Sequence, residues 1–497
     1  KNNDTRTVPA NGYEKRAVVS KIFDNDDFGY HKITVERPLR LNFQATDERI
    51  ARIENETAFR NLASSKKKNE TIRQEEIVAG EARQQAIRDM LVKLRDETDQ
   101  ELYKERKSFL KDLKRIDREV TGVKLSASEL KAVLSALSER DETAEISKDR
   151  QGNPEPDTEL RDTELVPLKE AVSEFFAREV TSYIPDAWID HSKNKVGYAI
   201  NFNKEFYIYE PPRGLSHIGE QIASFERELI ESIHSIVTQA INNQGLTDSH
   251  TRGNGQVTLL RYPKYRDSGL KWLGEIPEHW SMRRLKLIAR CRNSNVDKKT
   301  EDGEQPVRLC NYVDVYYNDF ITSAIEFMDA TATPEEIRKF SLRLGDVIIT
   351  KDSEMWDDIA VPAVVDEQLE GVLCGYHLAL VRPIPDVAVG EYLFRAFSSH
   401  AIRDQFRVRA NGITRYGLPV DAITSALFPV PPIDEQEAIA RFLRSETGRI
   451  NSLINGIRED VTGQGLFARL VACLVEYRSA LVSAAVTGRI DVREVAK

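Results

Sequence analysis

Cysteine is scarce in this chain of 497 residues, and Cys291, Cys310, Cys374 and Cys473 form no Cys-x-x-Cys pair. Their spacing excludes a disulfide framework and a zinc knuckle, leaving reduced, mostly buried thiols as the expectation. Long apolar runs are missing too. Runs such as "GDVIIT" (345–350) and "AVPAVV" (360–365) are strand-length, far short of the ~20 residues of a membrane span. No basic-then-apolar leader opens the sequence, so a cytoplasmic protein without a membrane partner is expected. The first residue is Lys1 rather than methionine, which points to a piece of a longer polypeptide or a trimmed one.

Catalytic signatures are equally sparse. A Gly-x-x-x-x-Gly-Lys-Ser/Thr phosphate loop is absent, which places ATP-driven work outside this chain. The eight histidines are dispersed without a His-Glu-x-x-His pair, so no metal site is expected. "PDVAVGEY" (385–392) spaces carboxylates as a nuclease does but lacks the lysine that would activate water. Methylation of a base amino group needs an Asn/Asp-Pro-Pro-aromatic loop to hold the amine and stack the flipped base. "GNPEP" (152–156), "EPPRG" (210–214) and "VPPID" (430–434) all fail that pattern, and "RGNGQV" (252–257) follows no strand. The chain alone is therefore expected to be no enzyme and to bind no cofactor.

What is present is a globular composition, 40 % hydrophobic and 30 % charged, with a formal net charge of −9. The sign does not exclude nucleic acid, because a polyanion responds to local patches. One such block is "RYPKYRDSGLKW" (261–272) followed by "MRRLKLIARCRNSNVDKK" (282–299), where basic residues alternate with Tyr and Trp. A solvated helix face and a DNA-facing patch are both open for it.

"FGYHKITVERPLRLNF" (28–43) alternates and is interrupted by Pro38, as in a hairpin or edge strand. Apolar residues at Ile87, Leu91, Leu94, Leu102, Leu110 and Leu113 predict helix over 82–116. Ser126 and Glu129 form a capping box for a following helix, and 147–162 is a polar loop. Amphipathic helix is predicted over 165–180, strands or an extended arm over 196–214, and a wide-striped helix over 216–241. The Gly-, Asn- and Ser-rich stretch 243–257 is the clearest linker. After it, Asp434 as N-cap and Glu437 as box partner start a helix through 457, and 466–486 is a second, with Gly463 and Gly465 between. Trp272, Trp280 and Tyr376 are expected in the core.

Residues 258–497 resemble the specificity subunit of type I restriction–modification enzymes. The carrying strings are "YPKYRDSGLKWLGEIPEHW" (262–280), "GDVIITKD" (345–352), "GYHLALVRP" (375–383), "NGITRYGLPVDAI" (411–423), "PVPPIDEQEAIARFL" (429–443) and "EYRSALVSAAVTGRIDVRE" (476–494), in the family's order. Residues 1–242 resemble the C-terminal part of the partner methyltransferase, through "KIFDNDDFGYHKITVERPLRLNF" (21–43) and "VGYAINFNKEFYIYEPPRGLSHIGEQI" (196–222).

The resemblance implies an α+β chain: a methyltransferase-derived segment with a β hairpin (1–62), a mainly helical methyltransferase C-terminal region (63–242), the linker (243–257), a mixed α/β target-recognition domain (258–430) and a long-helix coiled-coil region (431–497). It implies double-stranded DNA as ligand, one half of a bipartite target, with the adenine methyltransferase subunit as partner and S-adenosylmethionine bound by that partner. A restriction (motor/nuclease) subunit is a further implied partner. Family members usually carry two recognition domains; this chain has one, so a homodimer is expected to rebuild the reader.

Loops next to the motifs are the expected DNA contacts: Lys351 and Ser353, and Asn411, Thr414, Arg415 and Tyr416, since Asn suits adenine edges, Arg guanine or phosphate, and Tyr stacking. A turn that packs the domain on its helix is the alternative for Arg415 and Tyr416. Subunit-interface candidates are Ile222, Phe225, Leu229, Phe442, Ile450, Leu453, Leu470, Leu474 and Leu481, and the resemblance implies that the stripe of 216–241 and the seams of 434–457 and 466–486 are mutual partners, three unrelated core helices being the alternative. Two other functions stay open: a fragment of a methyltransferase–specificity fusion enzyme, and a scaffold that no longer selects a sequence.

Overall fold

In the computed structural model the chain divides after Ile22 and again after Ala199. Phe23–Ala199 form one unit, and Lys1–Ile22 with Ile200–Lys497 form the other. The structure describes residues 4–10, 13–67, 69–120, 124–149, 151–200, 205–207, 212–242, 260–270, 272–301, 303–412, 414–460 and 465–493, with side chains except at 4–19, 229, 232–242 and 458–460. The expected linker 243–257 lies outside the described residues, as does Gly463, and the expected boundary at residue 62 lies inside the Phe23–Ala199 unit.

The first strands, β1 (Asp4–Ala10) and β2 (Tyr13–Ser20), pair antiparallel. In the Phe23–Ala199 unit, β3 (Gly29–Glu36) is followed by β4 (Leu41–Phe43) and the helices α1 (Glu70–Thr98), α2 (Arg106–Val120) and α3 (Ala127–Leu137). β5 (Ser138–Arg140), β6 (Asp162–Pro167), β7 (Trp188–Ile189) and β8 (Lys195–Tyr198) complete it. β3 is the central strand, antiparallel to β6, β7 and β8. The helices close over Phe43, Leu91, Leu94, Phe109 and Leu113, all at most 1 % exposed.

The capping box forms: Ser126 Oγ accepts from Glu129 N at 3.3 Å, and Ser126 N donates to Glu129 Oε2 at 2.6 Å. Arg83 grips the same carboxylate at 2.8 and 3.1 Å, and this bond, against burial, brings Glu129 down to about 2.

Two predicted helices are corrected here. The one over 82–116 is two, because Asp99 and Gln100 take left-handed φ of 47° and 56° and let α2 fold back on α1. The stretch 165–180 starts as the end of β6, because Leu165 and Val166 pair with Lys32 and His31, and helix begins only at Val172.

In the other unit the chain continues through α4 (Leu215–Asn242), then β9 (Tyr265–Asp267), β10 (Glu275–Pro277), β11 (Ser281–Arg284), β12 (Ala289–Asn293) and β13 (Gln305–Cys310). Next come α5 (Tyr312–Tyr317), β14 (Phe320–Ile321), β15 (Met328–Ala332), β16 (Val347–Thr350), β17 (Asp352–Ser353), β18 (Pro362–Val365), β19 (Val372–Cys374) and β20 (Leu378–Pro383). α6 (Gly390–Ser398), α7 (His400–Arg407), β21 (Asn411–Gly412), β22 (Tyr416–Gly417), β23 (Leu427–Val430), α8 (Ile433–Asp460) and α9 (Leu466–Val486) follow.

Five strands form one sheet in the order β12-β20-β16-β18-β14. Both its faces are covered. Val347 and Ile349 of β16, Ala379 and Val381 of β20, and Val364 of β18 point into one core. Their neighbours Ile348, Leu380 and Ala363 point into a second core, built with the β15-β13-β19 sheet. That is why these strands are continuous apolar runs rather than alternating ones.

The motifs at the two ends of this unit meet around one buried carboxylate. Glu435, 6 % exposed, accepts hydrogen bonds from the Tyr262 hydroxyl and from Trp280 Nε1 at 3.1 Å, and pairs with His279 Nε2 at 2.9 Å. Tyr265 donates to the Gly488 carbonyl at 2.9 Å, and Gly488 holds φ of 70° where a Cβ would overlap Pro277. Burial and the Glu435 bond push the Tyr262 phenol far up, so it remains a donor. Trp280 is core, 1 % exposed, and Trp272 packs half-buried beside it. The first part of the basic block, 261–272, thus serves this knot. The N-cap expectation for α8 is corrected: the helix starts at Ile433 behind Pro431–Pro432, so Asp434 is already inside it, and Glu435 N and Gln436 N both bond the Pro432 carbonyl.

Candidate nucleic-acid interface

β16 ends at Thr350, which is fully buried and locked on the returning strand: its N donates to the Val361 carbonyl and its Oγ1 accepts from Val361 N, both at 3.0 Å. The chain then leaves the sheet. Lys351 N bonds the His377 carbonyl and Leu418 N bonds the Lys351 carbonyl, so three stretches far apart in sequence are stitched at this point. Beyond it, β17, β22 and β21 form a short ribbon, with Asp352 opposite Gly417, Ser353 opposite Tyr416, and Gly412 opposite Tyr416. The two loops singled out in the sequence, 350–358 and 410–417, are therefore one surface.

Within it the six expected contact residues divide. Asn411, Thr414 and Arg415 are exposed, and Arg415 has no ion pair among the described residues. Tyr416 is half-buried and packs on the core. Ser353 is buried, its hydroxyl accepting from Met355 N at 3.2 Å. Lys351 is held inward, its Nζ 3.1 Å from Asp352 Oδ2 and 4.7 Å from the Tyr376 ring centroid. Gly412 turns the ribbon at φ of 151°, where a Cβ would overlap the Arg415 carbonyl.

Two of the four acidic residues of 350–358, Asp352 and Asp358, are engaged within the protein. Burial raises Asp352, but bonds from His377 Nδ1 (2.7 Å) and Lys351 hold its carboxyl below the usual range. Asp358 accepts from the Tyr316 hydroxyl, which that bond and burial push up to about 12. Glu354, Met355 and Trp356 are left outermost.

Several residues at this rim were not singled out. Tyr376, expected in the core, is 46 % exposed, a correction with a simple cause. It precedes β20 at the same sheet end, where the chain has left the core and His377 turns at φ of 74°. Tyr376 N bonds the Val296 carbonyl, which draws the exposed Lys298 and Lys299 of the basic block to the rim. On α5, Tyr312 and Tyr316 stack at 5.5 Å and Tyr317 is 78 % exposed. Consecutive tyrosines in "NYVDVYYND" (311–319) were the available signal.

No family model matches the chain. A putative type I restriction enzyme MjaX specificity subunit from Methanocaldococcus jannaschii is 26 % identical over 192 residues, 38 % of this chain and 44 % of that protein. Over that stretch the chain resembles a type I specificity subunit. The chain spans less than half the length of that relative. Among solved structures, the type I S subunit from M. genitalium matches 36 % of this chain and 43 % of its own, at 15 % identity and a TM-score of 0.24. The HsdS subunit from Thermoanaerobacter tengcongensis matches 39 % and 47 %, at 18 % identity and a TM-score of 0.29.

The long helices that the specificity-subunit resemblance assigns to assembly are occupied inside this chain. Phe225 of α4, Phe442 and Ile450 of α8, and Leu470, Leu474 and Leu481 of α9 share one core, with Ile222 packed against it. Arg213 pairs with Glu476, and Arg469 lies 4.7 Å over the Phe225 ring. The stripe of 216–241 and the seams of α8 and α9 thus pack on one another within the chain. Leu453 is the exception, 58 % exposed, and the Leu229 side chain lies outside the described residues. Among the described residues no helix is long and apolar enough to cross a membrane, and no group of three potential ligands could hold a metal ion.

Proposed function

We propose that this chain is a sequence-specific DNA-recognition component of a type I restriction–modification system. It reads one half of a bipartite target with the β17-β22-β21 ribbon and its aromatic rim. The observation that carries this reading is the meeting of two separate loops in one exposed ribbon, with Asn411, Thr414 and Arg415 outward and the carboxylates of Asp352 and Asp358 engaged. The similarity to a specificity subunit over 192 residues supports it. In this reading the chain is non-catalytic, the adenine methyltransferase partner binds S-adenosylmethionine, and the restriction subunit is recruited by the assembly. α4 occupies the place of a methyltransferase helix on the specificity helices, and Leu453 marks the face left for a second copy.

Selection of duplexes from a randomised pool by the purified chain tests the reading. An enriched half-site is expected. A pool that stays random after several rounds overturns it, and methyl incorporation by the chain alone would favour the fusion-enzyme reading instead.

A further inference from the structure

Residues 205–207 belong to "NKEFYIYEPPRG" (203–214), a string to which the recognition reading gives no role. The structure brings the described part of this arm, 205–207, against the candidate reading loop. The half-buried Tyr207 ring meets Trp356 edge-on, with centroids 6.2 Å apart. Burial and a hydrogen bond to Asp404 push the Tyr207 phenol well above its usual range, so it stays a donor. Asp404 of α7, 4 % exposed, accepts from Arg407 at 3.0 Å, and Arg407 Nε donates to the Asp357 carbonyl at 2.9 Å. On the arm's other side, Lys21 bonds Glu205 and lies 5.6 Å from the Phe206 ring centroid.

Tyr207 therefore reaches the loop through Trp356, and it lies beside Asp404, whose partner Arg407 bonds the backbone of residue 357. A loop that reads bases gains affinity when it is ordered before it binds, because ordering it on binding costs free energy. We propose that Tyr207 is a positioning residue for target recognition: the arm sets the geometry of 353–358 without touching DNA. The proposal rests on the reading of that loop as a DNA contact.

Amide exchange of the full chain without DNA, combined with titration of the selected duplex, tests it. Tyr207→Ala is expected to speed exchange across 353–358 by about tenfold, the loss of one bond to a charged group. Amides of β20 should not change, and affinity for the duplex should fall several-fold with the salt slope unchanged. Tyr207→Phe keeps the ring and should recover the Trp356 contact while losing the Asp404 link, giving an intermediate value. It carries the test if the alanine variant melts early. Unchanged exchange at 353–358 in both variants overturns the proposal whatever DNA binding does. Faster exchange with unchanged affinity upholds the positioning and overturns the loop as a DNA contact.

Discussion

The Glu435 knot and the β17-β22-β21 ribbon are built from the same kinds of residue and do opposite things with them. In the knot, two tyrosines, a tryptophan and a histidine surround a carboxylate or a carbonyl, and the polar groups named are satisfied inside the protein. At the ribbon, the carboxylates of Asp352 and Asp358 are engaged within the protein while Asn411, Thr414, Arg415 and Tyr376 face out. The lesson is that aromatic and basic enrichment does not by itself mark a DNA surface. What distinguishes the two is where the hydrogen-bonding capacity is spent. Buried polar groups need partners within the fold, whereas a reading surface must keep donors unsatisfied until the ligand arrives.

That contrast can be broken by measurement. The largest effect is expected at the knot. Glu435→Ala strands the Tyr262 and Trp280 donors in a buried place and should cost about 3 kcal/mol or more in urea unfolding. A loss below about 1 kcal/mol would show that the knot is not what joins the two ends of this unit. At the ribbon the sign of the contrast reverses. Arg415→Ala should leave unfolding within about 0.5 kcal/mol of the parent, as for an exposed side chain, yet weaken duplex binding by about 1–3 kcal/mol if Arg415 reads a base. If it touches phosphate, the loss is smaller and the salt slope flattens.

Gly412→Val tests the ribbon's backbone rather than its side chains. Strain at a left-handed position is about 1–3 kcal/mol; here it should appear as faster exchange at 411–417 and weaker duplex binding, with the strands β16 and β20 unaffected. Protection of those amides equal to the parent's would mean that the turn tolerates a Cβ. The smallest effect is that of pH. Because the Asp352 carboxyl is depressed by His377 and Lys351, its contribution is present above the ordinary aspartate value and is lost as pH falls through the lowered one. Ribbon protection should therefore fall only in acid, and Asp352→Asn should remove that acid limb. A limb that persists in the variant would assign it to another group.

Much of this was legible from the residues. The Ser126–Glu129 box, the buried strand 347–350 and the polar stretch before residue 162 appear as read. These are local signals, set by a cap, a run or a turn within a few residues. The misreadings share another cause. The break after Thr98 is a pair of left-handed residues in a polar string, and the start of helix at Val172 rather than Leu165 depends on pairing with β3. Tyr376 is expected in the core because a large aromatic is mostly buried. Its exposure follows from its place before β20, which begins two residues later at Leu378.

By itself the sequence determined the α+β character, the strand-length apolar runs, the long amphipathic helices, and the resemblance to a specificity subunit. Hydrophobic period and capping chemistry act over a turn of helix or a pair of strand residues, so they are written along the chain. Only the tertiary structure decided which partner each face would find. It tied the motif of 262–280 to Glu435 and to the Gly488 carbonyl of 476–494, and joined 350–358 to 410–417. Those contacts span 60 to more than 200 residues. An apolar stripe or a buried carboxylate specifies that it needs a partner, and not which one, because burial and hydrogen bonding are satisfied by any segment of suitable shape and chemistry.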